Sequence, residues 1–185
     1  MAWLRKSAPT EPLAVTMAAV KLGDRFLAIG VSDTPLIAAL AVKAGLTGEA
    51  RAIDPDAARV EKARVEIERE GALVEVTRAP WGLWPLDAES VDVAVISNLL
   101  PTLPAEARAR CIRETLRVLR HGGRVIVIEP GRRGGFGALL HRESIDASYP
   151  GPVQALKDEG FIAVRELAEA GGTIYVEAIK KGERQ

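Results

Sequence analysis

Between Asp24 and Asp54 the chain reads DRFLAIGVSDTPLIAALAVKAGLTGEARAID, a pattern that leaves little choice of local structure. Residues 25–29 form a short apolar run stopped by Gly30. Val31, Ser32, Asp33 and Thr34 have the chemistry of a turn. Residues 34–44 carry helix formers, with Pro35 in the first turn, where its missing N–H costs nothing, and Gly45 at the carboxyl-terminal cap. Residues 50–53 are a second apolar run that closes on Asp54. Strand, glycine turn, helix, strand and terminal acid follow the order of the first half of a nucleotide-binding βαβ unit.

The rest of the chain extends that unit. Residues 11–22 place Leu13, Met17 and Val20 at helical spacing and predict an amino-terminal helix. Residues 56–70 form a charged amphipathic helix with Ala57, Val60, Ala63 and Ile67 on one face, stopped by Gly71. Residues 72–78 alternate as a strand does, and residues 79–90 are a loop rich in Pro, Trp and Gly. VDVAVIS at 91–97 has the apolar character of a buried parallel strand. A helix over 103–119, a tight turn at His121-Gly122-Gly123 and a strand over 124–129 come next. Gly131 to Phe136 is rich in glycine and arginine; Arg132 and Arg133 there read as a solvated loop or as a site for an acidic group. A helix over 152–159 precedes strands at 161–167 and 173–180, joined at Gly171-Gly172 as a hairpin. Strands and helices alternate throughout, so the expectation is one α/β domain over residues 1–185, with 1–22 as an amino-terminal helical segment. It would be a three-layer sandwich whose ligand site lies at the carboxyl ends of the early strands.

Composition narrows the function. Lys plus Arg and Asp plus Glu each number 25, so no net field recruits nucleic acid or acidic lipid. The single cysteine, Cys111, sits at a helix position and reads as core. With two histidines, His121 and His141, no metal site is expected. The apolar run at 12–20 leads into LGDRF without a cleavage site, and no segment is long enough to span a membrane, so a cytoplasmic protein is expected.

Four segments together resemble the class I S-adenosylmethionine-dependent methyltransferases, a Rossmann-like family with a seven-stranded, mostly parallel sheet ending in an antiparallel hairpin. FLAIG is similar to the family's first motif strand, and AIDPDAARVEKAR to its second strand with terminal acid. ESVDVAVISNLLPTLP is similar to the fourth strand and following loop, and RETLRVLRHGGRVIVIEP to the helix, glycine turn and fifth strand. The resemblance spans roughly residues 11–181. It implies S-adenosylmethionine as cofactor, S-adenosylhomocysteine as product and a small molecule as methyl acceptor. It implies a cofactor loop of Gly30, Val31 and Ser32, and a helix amino end near Thr34 aimed at the methionine carboxylate. Asp54 would accept hydrogen bonds from both ribose hydroxyls, with Pro55 beside the adenine. Ala79, Pro80 and Trp81 would flank the adenine ring, and Ser97, Asn98 and Leu99 would lie near the methionine and the substrate.

Each of these residues also has a plain structural reading. Gly30 suits a turn, Asp54 suits the start of the next helix, Trp81 and Trp84 suit packing of their loop, and Asn98 suits a turn. Asp92 suits bonds that order the fourth strand. The family's first motif carries an acid and three alternating glycines, whereas this chain has Ala28, Gly30, Ser32 and Thr34 at those positions. Asp33 adds a negative charge to the loop, and Arg78 to Trp81 stand where an adenine-contacting acid is common. No catalytic base is evident; alignment of nucleophile, methyl and sulfur is enough for many small-molecule methyl transfers. Two alternatives stay open: a methyltransferase-like binding or assembly protein without catalysis, and a nicotinamide-dependent oxidoreductase, which would lack its G-x-G-x-x-G fingerprint here.

Overall fold

The computed structural model describes residues 12–131 and 146–182. Within them the strands are β1 (Arg25–Ile29), β2 (Glu49–Asp54), β3 (Glu75–Arg78), β4 (Val91–Ser97), β5 (Leu119–Pro130), β6 (Ile162–Ala170) and β7 (Thr173–Ile179). The helices are α1 (Leu13–Ala18), α2 (Thr34–Ala44), α3 (Ala57–Arg69), α4 (Ala105–Val118) and α5 (Pro152–Asp158). Residues 1–11, 132–145 and 183–185 lie outside the described residues, so the readings made for Arg132, Arg133 and His141 are not addressed by it.

One seven-stranded sheet runs in the order β3-β2-β1-β4-β5-β7-β6. The first five strands pair in parallel, and β7 lies antiparallel between β5 and β6. The alternation of side chains along each strand divides the interior into two cores. Phe26, Ala28, Val93, Val95, Ile126 and Ile128 face one layer, packed by Val15 of α1, Leu40 of α2 and Ile67 of α3. Leu27, Ile29, Ala94, Ile96, Val125 and Val127 face the other, packed by Cys111 and Ile112 of α4 and Leu156 of α5. This is the three-layer Rossmann-like sandwich with its terminal antiparallel hairpin. Gly171 and Gly172 both have positive φ (58° and 79°), as a two-residue primed hairpin turn demands.

Several boundaries differ from expectation, each for a visible reason. α1 ends at Ala18 because Ala19 turns left-handed (φ 45°) and returns its N–H to the Val15 carbonyl. β3 starts only at Glu75, because the Ala72 N–H is still bonded to the Ile67 carbonyl of α3. The helix over 103–119 is preceded by a separate 3-10 turn, Leu100–Thr102. His121-Gly122-Gly123 is not a free turn but an irregular stretch inside β5. There Gly122 N donates to the Lys180 carbonyl and Lys180 N donates to that of Gly123. A Cβ at Gly123 would lie 2.8 Å from the Arg120 carbonyl oxygen, so the motif needs glycine for space.

Asp92 ties the amino ends of the central strands together. It accepts from the Arg25 N–H (2.8 Å), from the Arg25 guanidinium (3.0 Å) and from Arg120 (2.5 Å). Burial works against its charge, but the Arg25 and Arg120 hydrogen bonds outweigh that and hold its carboxyl down at about 2. A lowered folded-state value stabilises above the ordinary carboxylate range and loses that contribution as pH falls toward the folded value. Asp92→Asn is therefore expected to cost about 2 kcal/mol at pH 7. Urea unfolding should show the gap to wild type closing as pH falls from about 4 to about 2.

Candidate functional site

The site follows from topology. β1 and β4 are neighbours, but the chain leaves β1 into α2 on one face and leaves β4 toward α4 on the other. Their carboxyl ends therefore part and leave a crevice, which is where open α/β sheets bind ligands. Gly30 stands on one side of that crevice and Asn98 on the other.

Gly30 has φ +83° and donates its N–H to the Ile53 carbonyl at 2.8 Å, a backbone state that a side chain would strain. Val31 is buried. Ser32 is exposed. Asp33 does not project freely from the loop: its carboxylate accepts the Leu36 N–H (3.2 Å) and caps α2. One orphan donor of the α2 amino end, read from sequence as facing a ligand carboxylate, is thus satisfied by the chain itself. Thr34 is buried and turned away, its hydroxyl donating to Glu66 of α3 at 2.8 Å.

Asp54 ends β2 almost wholly buried, with 2% of its surface exposed. Its Oδ1 accepts from Asp56 N (2.9 Å), Arg59 Nε (3.0 Å) and Arg59 Nη2 (2.8 Å). Its Oδ2 accepts only a long bond from Val31 N (3.4 Å) among the described residues. The Asp54 hydrogen bond raises the pKa of the Arg59 guanidinium. Asp54 does not itself cap α3, as the structural reading had it; Asp56 does, accepting the Arg59 N–H at 2.8 Å.

The remaining expected residues divide. Pro55 is half-buried, and its carbonyl accepts from Arg78 Nε (3.0 Å). Ala79 donates its N–H to the Asp54 carbonyl (3.2 Å) with its side chain inside the α4-side core, so only its backbone borders the crevice. Pro80 is exposed. Trp81 is half-buried and packs against that same core, and Trp84 is fully inside it. Ser97 accepts from Asn98 Nδ2 at 3.3 Å. Asn98 is left-handed (φ 51°) and donates its N–H to the Ile128 carbonyl at 2.8 Å. This reversal lays Leu99 over Gly30: a Cβ built on Gly30 would meet Leu99 Cδ2 at 3.5 Å.

Glu129 and Arg108, both buried, and the half-buried Tyr149 were not singled out in the sequence. Glu129, at the carboxyl end of β5 and next after Ile128, is 2% exposed, and both its oxygens accept from the Tyr149 hydroxyl (2.9 and 2.8 Å). Arg108 of α4 lies over the Tyr149 ring, 4.8 Å from its centroid, and donates to the Leu103 carbonyl at 2.9 Å. Burial is the largest influence on Glu129 and pushes its carboxyl up to about 7 against the opposing pull of Tyr149 and Arg108. The only sequence signal was an acid closing an apolar strand. Cys111 is buried, and burial pushes its thiol up, which leaves no thiolate nucleophile. No group of metal-ligating side chains occurs among the described residues.

The model of the methyltransferase domain family matches residues 26–123, from β1 into β5. No curated protein is significantly similar in sequence. Among solved structures, a SAM-dependent methyltransferase from Aquifex aeolicus superposes with a TM-score of 0.72 at 19% identity, over 91% of this chain and 88% of that one. PigF with SAH superposes with a TM-score of 0.66 at 21% identity, over 85% of this chain and 50% of that one. The [4+2]-cyclase SpnF superposes with a TM-score of 0.71 at 17% identity, over 92% and 80%.

Proposed function

The chain belongs to the methyltransferase domain family, and from that premise we propose that it is an S-adenosylmethionine-dependent methyltransferase acting on a small molecule. The observation that carries the reading is the pair formed at the switch point by a buried carboxylate, Asp54, with Oδ2 turned toward the loop, and Gly30 with its positive φ. These residues fit the nucleoside half of the cofactor. Asp54 would accept from the ribose, Pro55 and the Ala79-Pro80-Trp81 backbone and ring would border the adenine, and Gly30, Val31 and Ser32 would line the approach. Ser97, Asn98 and Leu99 would face the methionine portion and the substrate. Bound S-adenosylmethionine supplies an electrophilic methyl group on sulfonium, which passes to a nucleophile and leaves S-adenosylhomocysteine. The chain's contribution is alignment and exclusion of water. A balanced charge of 25 against 25 supports a small substrate over nucleic acid. No helix of the described residues is long and apolar enough to cross a membrane, and a cytoplasmic setting is part of the proposal, as is a single domain over the whole chain.

One observation favours a second reading, a methyltransferase-like protein that binds or assembles without transferring methyl. Leu99 covers Gly30, and Asp33 already caps the helix that would greet the methionine carboxylate. Calorimetric titration separates the two. Under the first reading wild type binds S-adenosylhomocysteine, and Leu99→Ala tightens it roughly fivefold by removing the cost of turning Leu99 aside. Adenosine, which lacks the amino-acid tail, should be unaffected by the substitution. Binding that appears only in Leu99→Ala would favour the second reading; none in either protein would remove the first.

A further inference from the structure

Resting on the proposal that this site takes the cofactor's nucleoside, the geometry assigns ribose recognition to a single oxygen of Asp54, with Arg59 as the positioning residue that commits the other. A carboxylate has about four acceptor positions, two per oxygen, and can in principle receive both hydroxyls of a ribose. Here three donors converge on Oδ1: Asp56 N at 2.9 Å, Arg59 Nε at 3.0 Å and Arg59 Nη2 at 2.8 Å. That oxygen is saturated. Among the described residues Oδ2 carries one bond, long at 3.4 Å, from Val31 N, on the loop that follows Gly30. One acceptor position therefore remains, on the oxygen turned toward the loop after Gly30, and it suits one hydroxyl.

Local structure explains why Arg59 does this. Asp56 caps α3 through the Arg59 N–H, which places Arg59 on the first turn. From there its planar fork reaches back to the strand end and grips one oxygen with two nitrogens, a geometry that lysine cannot reproduce. Asp54 is 2% exposed and cannot turn to share its oxygens otherwise. The expectation of recognition through both hydroxyls thus becomes recognition through one, and the site distinguishes the two sides of the ribose.

The test is calorimetry on the full chain with S-adenosylhomocysteine and its 2′-deoxy and 3′-deoxy analogues. In wild type one analogue should bind about tenfold more weakly, the loss of a hydrogen bond to a charged acceptor, and the other should bind within about twofold of the parent. In Arg59→Ala, Oδ1 is released and both analogues should lose affinity relative to the parent ligand; Arg59→Lys should behave like Arg59→Ala. A merely structural role for Arg59 would weaken all three ligands alike and leave the asymmetry in place, which would overturn its assignment. Equal losses for both analogues in wild type, or none, would overturn the single-oxygen assignment while leaving the cofactor reading standing. Failure of wild type to bind any of the three would overturn both.

Discussion

Asp54→Ala is expected to reduce affinity for S-adenosylhomocysteine by about 100-fold or more and to cost about 2–3 kcal/mol of stability. The two losses have one origin. The carboxylate accepts the Val31 and Asp56 N–H groups and the Arg59 fork from a position 2% exposed, so its removal leaves backbone donors without a partner where water is scarce. Arg59 is half exposed and can re-hydrate, which keeps the stability loss below that of a wholly buried ion pair. Asp54→Asn serves as the control. Its amide oxygen can still receive Arg59 and Asp56, so most stability should remain. Its amide nitrogen then faces the Val31 N–H and offers no acceptor to the ribose, so affinity should still fall. Calorimetry for binding and urea unfolding for stability read the two effects separately.

Glu129 carries the largest expected pH effect. Burial raises its carboxyl from 4.5 to about 7, with Tyr149 as its one hydrogen-bond donor among the described residues. A raised folded-state value means that the folded protein holds this proton more tightly than the unfolded chain does. Its contribution is complete below pH 4.5 and is lost as pH rises through about 7. The amount is about 3 kcal/mol across that interval. Glu129→Gln keeps an acceptor for the Tyr149 hydroxyl and removes the titration. Urea unfolding at several pH values should therefore show the variant gaining on wild type by about 3 kcal/mol between pH 5 and pH 8. A constant difference across that range would contradict the burial argument.

What the sequence disclosed and what it withheld divide along range. Residues 25–29, 34–44 and 91–97 have the bounds expected of them, because short apolar runs between glycine, proline and capping residues are local signals. The three-layer α/β class followed from alternation of strand and helix, while the strand order β3-β2-β1-β4-β5-β7-β6 is seen only in the fold. The position of Asp54 at a strand end was legible too, but not its bonding. Arg59 lies on a helix with many charges, where the default reading is a solvated side chain, and only the fold shows it gripping a carboxylate five residues back. Leu99 was placed near the methionine portion, yet its lie over Gly30 depends on Asn98 turning left-handed, which a residue other than glycine rarely signals. The Glu129–Tyr149 contact spans 20 residues and joins β5 to the segment before α5, with no motif to announce it. The irregular stretch at Gly122-Gly123 was read as a turn because glycine pairs usually are turns; here Lys180, the residue after β7, exchanges hydrogen bonds with it.

The central claim is that the crevice between β1 and β4 receives the cofactor, and amide NMR of the wild-type chain titrated with S-adenosylhomocysteine tests it most directly. Saturable shifts should appear at Gly30, Val31, Ser32, Asp56, Asn98 and Leu99, while His121, Gly122 and Gly123, at the opposite end of the sheet, stay in place. An unchanged spectrum at about 1 mM ligand, or shifts confined to residues away from Gly30 and Asp54, would contradict it.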